Sequence, residues 1–327
     1  MPLAPLSFRR SRAIIHHVNF RNTEVHLPHK KRHIRQPLLY LLAAVLSASM
    51  VGVAATAGDV DVYVLAGQSN MDGRGLIAEL VSDHPQAAGP RSDIRFWYAN
   101  TAGKGYSTGW VDLAPGFGVP PKFIKKNGRG GNLPSKIFGP EIAFGPAMLQ
   151  HRPGRQVAII KVTRGGTNLR EDWAATEDPA GPMYQLLVRT VNDALGKLSE
   201  AGDTGHLRGV LWHQGEGDRK SNKYAQRLEV FIDRLRKDLD KPQLPFVIGA
   251  VFDNGKRDII REQQRVAVEA AAYTAYVPSE GLETFEGTHF TTASTLELGE
   301  RFAQAIQQLQ TEGPEPAQDV IEIVEPE

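Results

Sequence analysis

Five short apolar runs that alternate with amphipathic stretches constrain this chain more than any other feature. The runs cover 60–66, 94–98, 157–162, 207–212 and 246–251; the amphipathic stretches cover 140–150, 183–199, 222–239, 257–272 and 293–310. In the third stretch Tyr224, Leu228, Phe231, Ile232, Leu235 and Leu239 recur at helical spacing. Strands that are apolar throughout are buried on both faces, which requires helices above and below a parallel sheet. The pattern therefore predicts an α/β fold: a three-layer α/β/α sandwich with a five-stranded parallel sheet, occupying 58–310.

The flanks differ in character. Residues 1–36 hold eight Lys/Arg and one acid, Glu24, and residues 37–57 hold no charge, which leaves 30 basic and 36 acidic side chains in 58–327. The basic excess thus belongs to a leader and not to a folded face, and nucleic acid is not an expected partner. A basic segment, an apolar run and small residues ending Ala55-Thr-Ala57 form the pattern of an export signal, with cleavage expected near Ala57. The expected location is periplasmic or extracellular, without stable membrane association after cleavage. The competing expectation is an uncleaved anchor over 37–57, long enough to cross a bilayer. There is no cysteine, so neither disulfides nor thiolate metal sites enter. Residues 311–327 carry six acids and no base and are expected to be disordered. Residues 100–138, rich in Gly, Pro and Lys, break the rhythm; a loop of this length is expected either to wall the substrate site or to be a surface insertion.

The chemistry gathers where the strands end. Gly67-Gln68-Ser69-Asn70-Met71 follows the first strand, at the sheet edge where open α/β folds bind ligands. Ser69 there is a candidate nucleophile, or simply a helix cap. His289, in Glu286-Gly-Thr-His289, is a candidate base whose Nδ1–H Glu286 could accept; a loop histidine beside a surface glutamate has the same sequence. Gln214 follows the strand 207–212 and could donate to an oxyanion or brace its loop. Gly165-Gly166-Thr167 follows the strand 157–162 and could free a backbone N–H or make a plain turn. Four candidate roles on one rim make coincidence a poor explanation.

Gly-Gln-Ser-Asn-Met (67–71), Phe-Gly-Pro-Glu (138–141), Gly-Gly-Thr-Asn-Leu (165–169), Trp-His-Gln-Gly-Glu (212–216) and Glu-Gly-Thr-His-Phe (286–290) resemble, in order, the blocks of the SGNH hydrolase superfamily. The most similar branch is the sialate O-acetylesterase-like proteins, which include acetyl xylan esterases of carbohydrate esterase family 6. The resemblance spans about 60–305 and implies a flavodoxin-like SGNH hydrolase fold. It implies Ser69 as nucleophile, His289 as base, and an oxyanion hole of Ser69 N–H, Gly165 N–H and the Gln214 side chain, with no cofactor and no metal. It implies removal of O-acetyl groups from carbohydrate through an acetyl-serine. Glu286 stands where the family has aspartate. His213 stands at a position often aromatic in this branch and is not taken as the base; Glu216 and Asp218 are expected to orient the Gln214 loop.

Candidate substrate-binding residues are Asn70, Arg164 and Trp173, the last either stacked on a sugar or in the core. Arg74, Arg164 and Arg170 are candidates for a substrate carboxylate. Two other readings are a non-catalytic carbohydrate-binding protein on this fold and an esterase of other small acyl esters.

Overall fold

The computed structural model describes residues 58–99, 107, 109–118, 136–176 and 178–313. Its elements run in the order β1 (Asp59–Gly67), α1 (Ser69–Asp72), β2 (Gly75–Leu76), α2 (Ile77–Asp83), β3 (Arg91–Ala99), β4 (Val111–Leu113), β5 (Ile137–Phe138), α3 (Glu141–His151), β6 (Gln156–Thr163), α4 (Pro182–Glu200), β7 (Thr204–His213), α5 (Tyr224–Asp238), β8 (Phe246–Gly249), α6 (Asp258–Ala270), β9 (Thr274–Val277) and α7 (Thr292–Glu312).

The five expected strands form the heart of one sheet of order β4-β3-β6-β1-β7-β8-β9. The sheet has seven strands and not five. Six are parallel, and β4 pairs antiparallel with β3 at one edge. The two additions are short edge strands without a buried-strand signature. β4 has three residues in the Gly/Pro-rich segment. β9 follows the Ala-rich end of α6, whose composition continues a helical pattern, and three of its four residues are only half-buried.

Alternation along β1 divides the core into two. Val60, Val62, Val64 and Ala66 point into a layer closed by α4, α5 and α6, where Trp173, Trp212 and Phe231 pack. Tyr63 and Leu65 point into the other, closed by α3 and α7 through Phe144, Met148, Leu298, Phe302 and Ile306. This is the three-layer sandwich expected from the sequence.

Register positions the site. Gly67, the last residue of β1, is paired with Thr163 of β6 on one side and His213 of β7 on the other. The chain crosses from β6 over β1 to β7, so strand order reverses around β1 and leaves a crevice at its carboxyl end. Ser69, Gly165 and Gln214 follow these three strand ends by two, two and one residues. The wall expected from 100–138 falls mostly outside the described residues. The export segment 37–57 and residues 314–327 of the acidic tail also lie outside them. The helix α7 extends through Glu312, two residues beyond the limit expected from the sequence. Among the described residues no helix is long and apolar enough to cross a membrane.

Candidate active site

The turn after β1 is built for close approach. Gly67 has φ +146°, and a Cβ there would lie 2.2 Å from the carbonyl oxygen of His213. Only glycine fits, because the backbone of β7 occupies the side-chain space. Gln68 N–H then donates to that His213 carbonyl at 3.0 Å, and its Oε1 accepts from Gly215 N–H at 3.3 Å and Gly217 N–H at 3.2 Å. Ser69 opens the single turn of α1. Among the described residues neither its N–H nor that of Gly165 donates to a backbone carbonyl.

Ser69, His289 and Glu286 come together. Ser69 Oγ lies 3.1 Å from His289 Nε2, and His289 Nδ1 is hydrogen-bonded to the Glu286 carboxylate. With Nδ1–H donating to Glu286, Nε2 is left as the acceptor for the serine hydroxyl. The segment that presents His289 is a tight hairpin. Thr284 and Phe290 form an antiparallel bridge, Phe285 N–H donates to His289 O at 2.8 Å, and Gly287 takes φ +80° between the two catalytic candidates. The shape of this hairpin lets a glutamate three residues upstream reach back to its own histidine. Burial, and after it the Arg74 guanidinium, hold the His289 imidazolium below the ordinary histidine range, while Glu286 and Glu216 pull the other way. That shift favours the neutral ring, the form in which an imidazole can accept a proton.

Of the two glycines after β6, Gly165 faces the serine: a Cβ there would meet Arg74 Nη2 at 3.4 Å and Ser69 Cβ at 3.6 Å, whereas Gly166 faces open space. Arg74 is buried. Its Nη1 donates to Asp72 Oδ2 at 2.8 Å and to Gly73 O, which fixes a cation beside Ser69 and Gly165.

Gln214 is in place but its amide is occupied. Nε2 faces Asp218 Oδ2 at 2.8 Å, Thr167 O at 3.1 Å and Gln68 Oε1 at 3.2 Å. Its backbone carbonyl accepts from Tyr224 Oη and Gln264 Nε2. Two amide hydrogens already serve three acceptors, so a donation to an oxyanion requires Gln214 to give one up.

Two substrate-binding expectations do not hold, for reasons of burial. Asn70 is 2% exposed. Its Nδ2 donates to Glu216 Oε1 at 2.7 Å and Thr288 O at 3.0 Å, and its Oδ1 accepts from Phe290 N–H at 3.2 Å. Thr288 and Phe290 flank His289, so Asn70 fastens the Ser69 turn to the histidine hairpin. Trp173 is wholly buried against Trp212, edge to face at 5.0 Å between ring centroids, and its Nε1–H donates to Thr167 Oγ1 at 2.9 Å. It offers no face to a sugar. Arg164 stands half-exposed at the rim beside Gly165, 3.9 Å from Asp172.

Glu216 and Asp218 brace the loops as expected, the first through Asn70 and the second through Leu169 N–H and Gln214 Nε2, both at 2.8 Å. His213 is fully buried, with Nε2 hydrogen-bonded to Ala250 O at 3.1 Å, and cannot serve as base. No group of three or more His, Cys, Asp or Glu among the described residues could hold a metal ion.

Beneath the turn lies an ion pair that the sequence reading did not single out. Lys161 and Glu141 are fully buried and 2.8 Å apart, and Lys161 Nζ also donates to Asp72 O at 2.8 Å and Phe117 O at 3.1 Å. Asp72 in turn accepts from Tyr98 Oη and Thr163 Oγ1 at 2.8 and 2.7 Å. The available signal was a lone lysine inside the otherwise apolar strand Val-Ala-Ile-Ile-Lys-Val.

Comparison with known proteins bears on the family and the fold. A probable carbohydrate esterase of Arabidopsis thaliana, At4g34215, is 26% identical over 263 residues, which cover 75% of this chain and 89% of the relative. Its crystal structure superposes with a TM-score of 0.58 at 23% identity, over 76% of this chain and 98% of the other. NanS gives 0.57 at 16% identity, over 79% and 99%. A carbohydrate acetylesterase of Xanthomonas citri gives 0.55 at 18% identity, over 77% and 57%. At such identities the structural likeness speaks to the fold. Residues 59–308 match the family model described as carbohydrate esterase, sialic acid-specific acetylesterase. The chain belongs to that carbohydrate esterase family and is a carboxylic ester hydrolase.

Proposed function

We propose that the chain hydrolyses acetyl esters on carbohydrate with Ser69 as nucleophile. The observation that carries this reading is the continuous hydrogen-bond chain Ser69–His289–Glu286 at the carboxyl end of the central strand. His289 Nε2 takes the Ser69 proton as Oγ attacks the acetyl carbonyl. The tetrahedral oxyanion faces Ser69 N–H and Gly165 N–H, whose glycine leaves room for the substrate, and the Arg74 cation lies beside both. The intermediate collapses; the sugar oxygen leaves and takes the proton from His289. A water then gives its proton to His289 and attacks the acetyl-serine, which releases acetate and restores Ser69. Glu286 holds the imidazole orientation and offsets its charge. Gln214, on this reading, chiefly braces the Gly165 and Gly217 loops.

The substrate class is an acetylated carbohydrate, as the family implies. The decisive experiment compares residues 58–327 with its Ser69→Ala variant, measuring p-nitrophenyl acetate turnover and acetate release from a panel of acetylated glycans. Acetate release by the parent alone, with a serine-directed organophosphate adding its mass at Ser69, is expected. Equal rates in the two proteins would instead favour a non-catalytic carbohydrate-binding role. We read residues 1–57 as an export leader, in keeping with a family match that begins at 59. N-terminal sequencing of the mature protein is expected to begin near Gly58, and retention of 37–57 would make it an anchor.

A further inference from the structure

A cavity of about 390 Å³ opens on the same rim between the turns that follow β6 and β7. Its walls carry four basic side chains, Arg170, Lys220, Lys223 and Arg227, and one acid, Asp218. That acid does little to neutralise them. Asp218 is 7% exposed, and its Oδ2 is turned inward to Leu169 N–H and Gln214 Nε2. Burial also lifts its carboxyl above the ordinary range, against the pull of those donors and of Arg227 and Arg170. Arg170 shares Glu171, and Arg227 donates to Ser221 Oγ at 2.9 Å. Lys220 and Lys223 have no acidic partner among the described residues.

The cavity thus concentrates positive charge on a domain, 58–310, whose 30 basic and 30 acidic side chains otherwise balance. A concave cationic surface with low-dielectric walls attracts and orients anions. Its position ties it to the ester-cleaving site. Asp218 shares a hydrogen bond with Gln214, and Gly217 lies so close to Thr167 O that a Cβ would come within 2.3 Å. Thr167 is two residues beyond Gly165, which faces Ser69. Yet neither Ser69 nor His289 lines the cavity, so a group bound there belongs to a different part of the substrate from the reacting acetyl.

We propose that this cavity is a subsite for an oxyanion substituent, a carboxylate or a sulfate ester, on a sugar neighbouring the acetylated one. The inference rests on the esterase reading and extends it: the substrate is an acidic oligo- or polysaccharide, gripped by charge at one point and cleaved at another.

The test uses the triple variant Lys220→Gln, Lys223→Gln, Arg227→Gln, all surface side chains. Three substrates are compared: an acetylated oligogalacturonide, an acetylated sulfated oligosaccharide and a neutral acetylated xylo-oligosaccharide, each referred to p-nitrophenyl acetate turnover by the same protein. Removal of three partly exposed charges is expected to raise KM for an acidic substrate by about tenfold, with kcat little changed. Added salt is expected to raise that KM in the parent and much less in the variant. Whichever acidic substrate responds identifies carboxylate or sulfate as the ligand. The same KM in parent and variant for both acidic substrates would overturn the subsite. Titration calorimetry with the unacetylated acidic oligomers reads the cavity without catalysis. If p-nitrophenyl acetate is not hydrolysed but charge-dependent binding is seen, the esterase reading fails and the subsite stands.

Discussion

Replacing Asn70 by alanine tests how the Ser69 turn and the His289 hairpin are held together. The side chain makes three hydrogen bonds, to Glu216 Oε1 at 2.7 Å and Phe290 N–H at 3.2 Å, both buried, and to Thr288 O at 3.0 Å, partly buried. The one to a carboxylate is worth about 1.5–3 kcal/mol and the two to neutral groups about 1 kcal/mol each. Glu216 is already short of partners, since its Oε2 is buried and unpaired among the described residues. We therefore expect Asn70→Ala to cost about 3.5–5 kcal/mol, or about 10 °C in Tm for a domain of this size. The two flanks of His289 lose their tether to the serine turn at the same moment. A misplacement of about 1 Å between reacting groups costs about 10²-fold, so kcat on p-nitrophenyl acetate is expected to fall by about that factor with KM little changed. Asn70→Asp sharpens the test. It keeps the acceptor for Phe290 N–H but places a second carboxylate against Glu216, and two such acids share a proton. Its Tm is expected to approach the parent's as pH falls and to drop away as pH rises. If Asn70→Ala melts early but keeps kcat within threefold of the parent, the residue is a structural tie only and the positioning argument is refuted.

Glu286→Gln is expected to lower kcat by about 10²-fold, less than the ~10⁴-fold of a buried triad carboxylate, because Glu286 is 42% exposed; a change under threefold would leave a Ser–His dyad. The pH profile carries a signed test: His289 acts when neutral and its pKa is held low, so the acid limb of kcat/KM is expected below the ordinary histidine range. Arg74→Met removes a cation that opposes protonation and should move that limb to higher pH, whereas Glu286→Gln removes an anion that favours it and should move the limb lower; movement in the same direction in both would contradict the arrangement. Gln214→Ala separates a donor from a brace: loss of an oxyanion donor costs about 10²–10³-fold in kcat, while the bonds seen here lead us to expect a lowered Tm with kcat within tenfold. Lys161→Met is expected to destabilise the fold by about 3–5 kcal/mol, because it strands the buried Glu141 charge, measured by chemical denaturation; Lys161→Met with Glu141→Leu should recover much of that loss.

Some of this molecule was decided by the order of its residues alone. Continuous apolar runs alternating with amphipathic stretches specify strands buried on both faces, and such strands leave their carboxyl ends as the rim where chemistry collects. Ser69, Gly165 and Gln214 could be placed on that rim from strand endings, since a strand's end fixes where the next residue emerges, and His289 from its loop just before the last helix. The edge strands β4 and β9 could not be found in this way, because three or four half-exposed residues carry no pattern stronger than their surroundings. Nor could the use of each side chain. Asn70 and Trp173 sit near site residues in sequence, but whether a side chain meets solvent or closes a contact depends on segments distant along the chain. Asn70 met the hairpin at 288–290 and Trp173 met Trp212. The same is true of charge: the two lysines and the arginine of 220–227 look like an ordinary solvated face in sequence, and only packing turned Asp218 inward and left them facing one cavity. Local pattern set the layers and the rim. Which groups remain free to act there was settled by tertiary contacts, because hydrogen-bond capacity is finite and is spent on whatever the fold brings nearest.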